Sequence, residues 1–503
     1  MFALTTLALI AASGLQPQSD SRVISGSIEL RQDMVTTAAD QSCTASAEHP
    51  DVLCRPIDHD RARELGCLAL SLDTPMVVRR AEHGTQIIHG FPVDVGRTVD
   101  LELTPFSIHR PGRSVPDSAV PRPLHLRGRV IGAEASTAFL STSRAGTFGW
   151  ITIGDDEFTL STGPLSGPRI LTCHRRGGVA DNAISWSNWS CQAVGPGHVS
   201  SPPNPMPHHR RSGPPASCRS MSIALFGDPS FVALFEGDVP AAMGYMETLV
   251  AATSEIYEAN LNLRLELAHH EVFTGSAPFA INSDMLVNLV YFGDWWRRLL
   301  DEQPIPITDA GHLLIGSAVS PSGIAWTGSA CYTDAYYRTG VEGGLTGHFP
   351  YPLETQSDQN WDIYVFAHEL GHNIGMQHSD AFEPPIDNCM DCAAHGPDAA
   401  SGPGGIMSYC QLCEPMGMSN IKLEFHPSNV QLADTYLDTE ACLPDCTECP
   451  GDLNGDLHVD SADLGLLTAA WGTADSNADI DGDGTVGGAD LAYILSFWSA
   501  TCP

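Results

Sequence analysis

Apolar and polar positions along the first part of the chain follow a short, strand-like rhythm. Between residues 26 and 194, brief segments rich in β-branched and aromatic residues are each bounded by Gly, Pro, Ser or Asp. Segments of this kind are typical of β-strands joined by tight turns. We therefore predict a β-rich domain over residues 26–194. The clearest predicted strands span residues 124–130, 138–141, 149–153 and 157–161.

The middle of the chain, residues 218–441, mixes long helices with strands. Helical spacing of apolar residues occurs in residues 239–259, 284–302, 362–373 and 428–438. Strand-like apolar runs lie among them, at residues 221–226, 261–267 and 312–319. This mixture predicts an α/β domain. The fold class predicted for the whole chain is α+β.

Two linkers separate these domains from each other and from the end of the chain. Residues 195–217 are rich in proline and carry the basic tetrad 208–211, so we expect an extended, exposed segment. The tetrad is either a processing site or a solvated cluster of charge. A second, cysteine-rich linker covers residues 442–450 and precedes a small helical domain at residues 451–503.

The final domain contains an internal duplication with a period of 27 residues. Each copy places Asp or Asn at alternating positions ahead of an apolar helical run. Side-chain oxygens spaced in this way can wrap around Ca²⁺, so each copy is a predicted calcium site. Acidic turns that bind no metal are the alternative. The predicted ligands are Asp452, Asn454, Asp456, Asp460 and Asp463 in the first copy and Asp479, Asp481, Asp483 and Asp490 in the second.

Composition and charge narrow the partners and the compartment. The formal net charge of −35 would repel phosphate backbones, which excludes nucleic acid as an expected partner. Fifteen cysteines favour an oxidising compartment with disulfide bonds, and their odd number leaves at least one thiol unpaired. Residues 1–14 read as a signal peptide, although no Lys or Arg precedes their apolar run. Since no later segment is long and apolar enough to span a membrane, we expect a secreted or surface-associated protein.

One predicted helix carries the residues with the clearest chemistry. His368 and His372 stand four residues apart, so both imidazoles lie on one helical face and can bind the same metal ion. Glu369 is placed to act as a base without being a ligand. Gly375 allows a sharp turn that brings back His378 as a third ligand. Three histidines with an open fourth position predict a catalytic Zn²⁺ site.

The run from His368 to His378 resembles the signature of the metzincin zinc metalloproteases. Asn373 follows the second histidine, as it does in the reprolysin/adamalysin branch. The β-rich region is also loosely similar to the propeptides of that branch. Met407 resembles the methionine of the metzincin Met-turn, which would lie beneath the metal. Ser379 departs from the reprolysin pattern, where Asp usually follows the third histidine. Tyr409 is more like the astacin and serralysin pattern, either binding zinc or stabilising an oxyanion, with a merely buried Tyr as the alternative.

The metzincin resemblance implies an endopeptidase that acts on protein or peptide substrates. Glu369 would take a proton from the attacking water and pass it to the leaving amine. We expect residues 323–326 to form an edge strand with which an extended substrate pairs. The propeptide-like region implies a latent precursor. Either Cys54 or Cys67 supplies a thiolate that blocks the metal, or both form ordinary disulfides.

The duplicated C-terminal segment resembles a dockerin. That resemblance implies a cohesin-like protein partner and tethering of the enzyme through a calcium-binding module. Two positions depart from the pattern: Leu457 replaces the glycine expected at a tight turn, and Gly487 removes one side-chain ligand. The alternative function is a calcium-dependent adhesion or scaffold protein with an inactive protease domain. The intact Glu369 favours the enzyme.

Two Cys-x-x-Cys pairs lie near the metal motif. Cys389 and Cys392 precede Met407, and Cys410 and Cys413 follow it. Four thiolates could hold a structural zinc ion. Disulfides that fix the loops are the expectation for a secreted chain.

Overall fold

In the computed structural model, the described residues form two large β-sheets, one two-stranded sheet, helices packed on the second large sheet and a C-terminal pair of helices. The predicted signal peptide, the Pro-rich linker and its basic tetrad lie outside the described residues. The structure describes residues 53–498 apart from 82–83, 110–121, 168, 180–182, 187–189, 195–217, 303–307, 331, 355–357, 360, 388, 390–403, 414–416, 440–442, 444–445, 447–450, 452, 455–458, 474–477, 479, 481–484 and 497.

Nine antiparallel strands form the N-terminal sheet. They are β1 (Cys54–Ile57), β2 (Leu68–Leu72), β3 (Gln86–Asp94), β4 (Arg97–Phe106), β5 (Leu124–Val130), β6 (Ser136–Thr142), β7 (Thr147–Ile153), β8 (Asp156–Thr162) and β9 (Leu171–Arg175). Their order is β1-β2-β9-β8-β7-β6-β5-β4-β3. Two short helices, α1 (Asp60–Leu65) and α2 (Thr74–Ala81), accompany the first strands. The strands predicted at residues 124–161 are confirmed as β5 to β8, with ends extended by up to two residues.

Six strands form the central sheet. They are β11 (Ser190–Val194), β12 (Arg219–Gly227), β13 (Leu263–Val272), β14 (Ala310–Leu314), β15 (Ser322–Trp326) and β16 (Thr339–Gly343), in the order β11-β15-β16-β14-β12-β13. All neighbours are parallel except β15 and β16. A separate parallel pair joins β10 (Ser185–Trp186) to β17 (Asp358–Gln359).

Helices cover both faces of the central sheet. They are α3 (Pro229–Ala233), α4 (Val239–Leu261), α5 (Met285–Glu302), α6 (Asp362–Asn373) and α7 (Pro427–Thr439). Along β12, Ile223 and Leu225 face the core that holds α4 and α6, whereas Ala224 and Phe226 face the core that holds α5. This period of two is what a strand buried on both faces requires. The predicted α/β layering is therefore present, and α6 has the predicted bounds.

The N-terminal sheet and the central region share one hydrophobic core. Phe139 and Phe148 from the sheet belong to the same buried cluster as Tyr245 and Leu249 of α4. The Phe148 and Tyr245 rings meet edge-on, with centroids 5.3 Å apart. Each fully buried side chain of this size contributes about 1.5–3 kcal/mol. The β-rich region is therefore packed against α4.

One strand lies in a different sheet from the one the sequence suggests. β11 ends the predicted β-rich domain at residue 194, yet it pairs with β15 of the central sheet over five residues. Apolar residues and turn signals identify a strand, but they do not identify the sheet that it joins. This difference places the end of the N-terminal region next to α6.

The C-terminal duplication forms a matched pair of helices, α8 (Ser461–Ala469) and α9 (Gly488–Ser496). Their shared core uses equivalent residues of the two copies, Val459 with Val486 and Leu467 with Ile494. The 27-residue repeat in the sequence thus places equivalent side chains of both copies in the same hydrophobic core.

Two disulfides are described. Cys218 is bonded to Cys446, which ties the start of the central region to the cysteine-rich linker after α7. Cys389 is bonded to Cys410, and Cys413 is also disulfide-bonded. The expectation of disulfides is confirmed. Across the described parts of the chain, no helix is both long and apolar enough to cross a membrane.

Candidate metal centre

Helix α6 carries two histidines on one buried face. Every residue of this helix is buried, and the imidazole centroids of His368 and His372 lie 4.9 Å apart. The four-residue spacing produces this proximity because residues one helical turn apart share a face. The buried setting separates the imidazoles from bulk water.

Hydrogen bonds at Nδ1 orient both rings. His368 Nδ1 lies 2.7 Å from the Ile406 carbonyl oxygen, and His372 Nδ1 lies 3.0 Å from the Met376 carbonyl oxygen. A carbonyl only accepts, so each Nδ1 carries the proton and each Nε2 keeps its lone pair. Backbone carbonyls that hold a ring in this way are typical partners of metal-binding histidines.

A glycine turn after α6 returns the third histidine to the same point. Gly375 has φ of 88°, a conformation that favours glycine, as predicted. His378 Nε2 then lies 3.0 Å from His372 Nε2. Two nitrogens on one tetrahedral Zn²⁺ are about 3.3 Å apart, given Zn–N bonds of about 2.0–2.1 Å. The structure thus brings the three predicted ligands together at a spacing that suits zinc.

Glu369 lies between α6 and the neighbouring strand β15. Its side chain is fully buried; in the described parts of the chain no N–H or hydroxyl bonds to either carboxylate oxygen, and the Cys191 thiol is the polar group beside it. A Cβ built on Gly323 would lie only 2.0 Å from Glu369 Oε1. The carboxylate therefore occupies space that any side chain at position 323 would fill. Glu369 is thus packed against the backbone of β15 next to the histidines.

Met407 lies directly beneath the histidine helix. It is 1% exposed, and a Cβ on Gly371 would lie 2.9 Å from the Met407 sulfur. The Met407 carbonyl accepts the Ser379 N–H at 2.9 Å, which also fixes the chain just after His378. Met407 is therefore packed against the helix that carries His368 and His372.

Tyr409 reaches the centre from the same loop. Its hydroxyl lies 3.2 Å from His378 Nε2 and 3.1 Å from the Cys191 carbonyl oxygen, to which it donates a hydrogen bond. Burial raises the pKa of Tyr409, so the phenol stays protonated at neutral pH. It is a hydrogen-bond donor aimed at a peptide carbonyl beside the three histidines.

Cys191 is a fourth residue at the centre, and our reading of the sequence missed it. Its Sγ lies 3.4 Å from His372 Nε2. The possible ligand atoms of Cys191, His368, His372 and His378 all lie within 4.8 Å of one another. One sulfur and three nitrogens form a donor set that fits tetrahedral Zn²⁺. Its only sequence signal is a lone cysteine just ahead of the Pro-rich linker.

The strand that carries Cys191 covers the edge of the central sheet. In the parallel ladder of β11 and β15, Cys191 is the partner of Gly323 and Val194 is the partner of Trp326. Segment 323–326, expected to be an edge strand, is therefore already paired. A polypeptide lies extended along β15 with one of its side chains at the histidines.

Comparisons with known proteins identify this part of the chain. The profile of Metallo-peptidase family M12, reprolysin type, matches residues 217–419. These residues form a reprolysin-like zinc metalloendopeptidase domain.

Individual metalloproteinases are also similar to this chain. Snake venom metalloproteinase TM-1 of Protobothrops mucrosquamatus is 26% identical over 198 residues, which cover 38% of this chain and 87% of that protein. Disintegrin and metalloproteinase domain-containing protein adm-2 of Caenorhabditis elegans is 24% identical over 178 residues, 34% of this chain and 17% of that protein. The structure of metalloproteinase-II from Bacteroides fragilis superposes with a TM-score of only 0.40. The match covers 72% of this chain and 95% of that chain, at 10% sequence identity.

Electrostatics in the metallopeptidase domain favour neutral, metal-binding imidazoles. Burial lowers the pKa of His368 well below its usual value, that of His372 to about 4 and that of His378 to about 3. Neutral imidazole is the form that binds metal. Burial also raises the pKa of Glu369 well above its usual range, and the nearby Glu342 carboxylate adds to this.

The two cysteines that the sequence suggested as inhibitory metal ligands are not at the metal centre. Cys54 and Cys67 are buried in the N-terminal region, and burial raises the pKa of Cys67 to about 11. Neither belongs to the group of donors at the histidines, whereas Cys191 does. The expected blocking thiolate from Cys54 or Cys67 is therefore wrong, because the strand nearest the histidines comes from the end of the region. Cys67 is a free thiol, so the alternative that both residues form disulfides is wrong as well. Cys389 and Cys410 are disulfide-bonded, which argues against a zinc site built from the paired Cys-x-x-Cys runs.

The predicted calcium ligands are only partly described. Asp452, Asp456, Asp479, Asp481 and Asp483 lie outside the described residues. Asp463 accepts the N–H groups of Leu453 and Asp460, and Asp490 accepts those of Ile480 and Gly487, so the two copies repeat the same bonds. Asp460 caps α8, and Asp463 sits inside its first turn. Asn454 is described, and its backbone N–H also bonds to Asp463.

Proposed function

We propose that this protein is a secreted zinc-dependent endopeptidase, made in a latent form, with Glu369 as its general base. The observation that carries the proposal is the convergence of three oriented imidazoles beside a buried carboxylate. His368, His372 and His378 would hold Zn²⁺. When bound there, zinc supplies the Lewis acidity that lets water act as a nucleophile near neutral pH.

The chain's own residues would complete peptide-bond hydrolysis. Glu369 takes a proton from the attacking water and delivers it to the departing amine nitrogen. The Tyr409 hydroxyl donates to the carbonyl oxygen as negative charge develops there, and its present bond to the Cys191 carbonyl supports this role. Backbone groups of β15 would align an extended substrate, since they already pair with β11.

Latency is proposed to come from the segment that carries Cys191. Its strand fills the place along β15 where a substrate would pair, and its thiol lies among the three histidines. A Cys191 thiolate would complete a four-donor site, which has no open position for water. Cleavage within linker 195–217 would separate this segment from the domain.

Cleavage of casein tests the proposed activity. The processed chain, freed of its N-terminal fragment, should cleave casein, lose this activity to a zinc chelator and regain it with added Zn²⁺. Glu369→Ala should bind zinc normally and cleave nothing measurable. Because both regions share a core, processing after folding is preferable to deletion of residues 1–215. A folded, zinc-loaded processed chain that cleaves neither casein nor a peptide library would contradict the proposal.

We also propose that the C-terminal duplication is a dockerin-like, calcium-binding module that tethers the enzyme to a cohesin-like protein partner. The support is the repeated core and the repeated bonds to Asp463 and Asp490. Trp471 and Trp498, which are equivalent in the two copies, are exposed. A calcium titration of the full chain, followed by tryptophan fluorescence, should show saturable binding. Titration without any change, in fluorescence or heat, would contradict the module.

A further inference from the structure

A buried hydrogen-bond chain behind the histidine site joins the central sheet to the end of α6. Its members are His312 on β14, Glu342 on β16 and Asn373, the last residue of α6. All three side chains are fully buried. The chemistry proposed above uses none of them. Burying a carboxyl and an imidazole is unfavourable by several kcal/mol unless they are paired, so their presence calls for a role.

Hydrogen-bond geometry fixes which atoms donate. Asn373 Nδ2 donates to the Trp326 carbonyl oxygen at 2.9 Å and to Ser329 Oγ at 3.1 Å. Its Oδ1 therefore faces His312, whose Nε2 lies 2.9 Å away and must carry a proton. His312 Nδ1 lies 2.5 Å from Glu342 Oε1, so that pair shares a second proton. The imidazole is thus held from both sides.

The backbone at the end of α6 is also hydrogen-bonded to the residues that directly follow β15. The Asn373 carbonyl accepts the N–H groups of Ser329 and Ala330 at 2.8 and 3.0 Å. The His372 carbonyl accepts the Gly328 N–H at 2.8 Å. The metal-binding helix and the strand proposed to hold substrate are therefore joined through Asn373 and its neighbour.

We propose that Glu342, His312 and Asn373 form a positioning chain that holds His372 and the Trp326 end of β15 in one fixed relation. This inference rests on the proposed peptidase function. His312 presents Nε2–H to Asn373, and Asn373 in turn locks the last turn of α6 against the end of β15. Because a displacement of about 1 Å between reacting groups can lower a rate about a hundredfold, such a lock matters for turnover.

Two substitutions at His312 separate the two ends of the chain. In His312→Gln, the side-chain amide reaches about as far as imidazole Nε2, so it keeps a donor for Asn373 and leaves Glu342 without its partner. In His312→Asn, the shorter amide reaches about as far as Nδ1, so it keeps a donor for Glu342 and loses Asn373. A positioning role therefore predicts that His312→Asn changes zinc loss and kcat more than His312→Gln does. A purely stabilising role predicts the larger change in His312→Gln.

The test measures zinc loss to a chelator from the full-length chain, and kcat and KM of the processed chain. His312→Asn should lose zinc about tenfold faster and show a kcat about tenfold lower, with KM nearly unchanged. His312→Gln should fall between the unaltered protein and His312→Asn in both measurements, because it keeps the donor for Asn373 but loses the anchor to Glu342. It should nevertheless unfold at a lower temperature, because it buries an unpaired carboxylate.

The proposal would be overturned if His312→Gln changed zinc loss and kcat more than His312→Asn, or if a folded His312→Asn variant changed neither. If His312→Asn does not fold, Ser329→Ala decides instead, since it removes one acceptor of Asn373 Nδ2. It should lower kcat and speed zinc loss by about threefold, and unchanged values would count against the chain. If the processed unaltered protein cleaves nothing, the peptidase proposal fails, while the zinc-loss order still tests the positioning.

Discussion

Glu369 is held against β15 at a point where that strand has no side chain. Gly323 is required there because a methyl group would overlap the carboxylate, and the same need for space recurs at Gly371 above the Met407 sulfur. At the residue scale, the catalytic arrangement therefore depends as much on missing side chains as on the histidines. The eleven-residue motif predicted the histidines and Glu369, but it contains no information about Gly323.

Gly323→Ala should displace the Glu369 carboxylate and lower kcat by about a hundredfold. The histidines contact other elements, so zinc content should remain at one ion per chain. Peptide hydrolysis by the processed variant, beside zinc analysis of the same sample, checks both statements. Normal kcat would mean that Glu369 can act from a different position.

Cys191→Ser should make the intact chain active on a small fluorogenic peptide, by at least about tenfold over the unaltered precursor. Serine is a much poorer zinc ligand than a thiolate, so the fourth position becomes open to water. Cys67→Ser is the matched control, because that thiol is buried in the N-terminal region. Equal latency in both variants would show that the strand alone, without the thiol, blocks the centre.

Helix α4 is the element on which the N-terminal sheet rests. Arg127 of β5 donates to Glu258 at 2.8 Å and to Glu255 at 3.2 Å on this helix. Burial raises the pKa of Glu255 to about 7, while Arg127 opposes this rise. These partly buried ion pairs add to an interface that combines apolar packing with other polar contacts, such as the Ser141–Thr248 hydrogen bond at 2.8 Å.

Arg127→Met should weaken the attachment of the N-terminal region by about 1–3 kcal/mol, since it removes charged hydrogen bonds and leaves two neighbouring carboxylates. The rate at which the N-terminal fragment leaves after linker cleavage measures this. Arg129→Met is the control, because Arg129 lies on the same strand but bonds to Glu102 within the sheet. Similar release rates for the two variants would exclude a role for the Arg127 pairs.

At the scale of the whole molecule, buried neutral histidines link stability to pH. Burial lowers the pKa of His125 and of His174 to about 4, whereas an exposed histidine in the unfolded chain titrates near about 6.5. Between these values the unfolded chain binds more protons than the folded one. The stability that these two histidines contribute should therefore fall as pH drops from about 6.5 towards about 4.

Thermal unfolding of the intact precursor between pH 7 and pH 4 checks this sign. His174→Leu should flatten the decrease, since one of the two groups no longer titrates. The matched comparison is Phe158→Leu, which removes buried packing in the same sheet but no titratable group and should leave the slope unchanged. An equally steep decrease in the unaltered precursor and in His174→Leu would rule out this linkage.

The sequence predicted local features well and long-range pairing poorly. Helix α6 and strands β5 to β8 carry their own periodicity and turn residues, so their bounds follow from local patterns. The sheet that β11 joins, the Cys218–Cys446 bond and the His312–Glu342–Asn373 chain depend on contacts between distant residues. For the same reason, Cys191 was missed while Cys54 and Cys67 were considered.

The Cys218–Cys446 bond has a consequence for how the N-terminal region is lost. A cut within residues 195–217 leaves Cys191 on the N-terminal fragment and Cys218 on the other, and neither described disulfide joins the two pieces. An intramolecular contact, with an effective concentration on the order of millimolar, becomes a bimolecular equilibrium. The cut protein would then stay inhibited when concentrated and become active on dilution, so the volume into which it is released would control its activity.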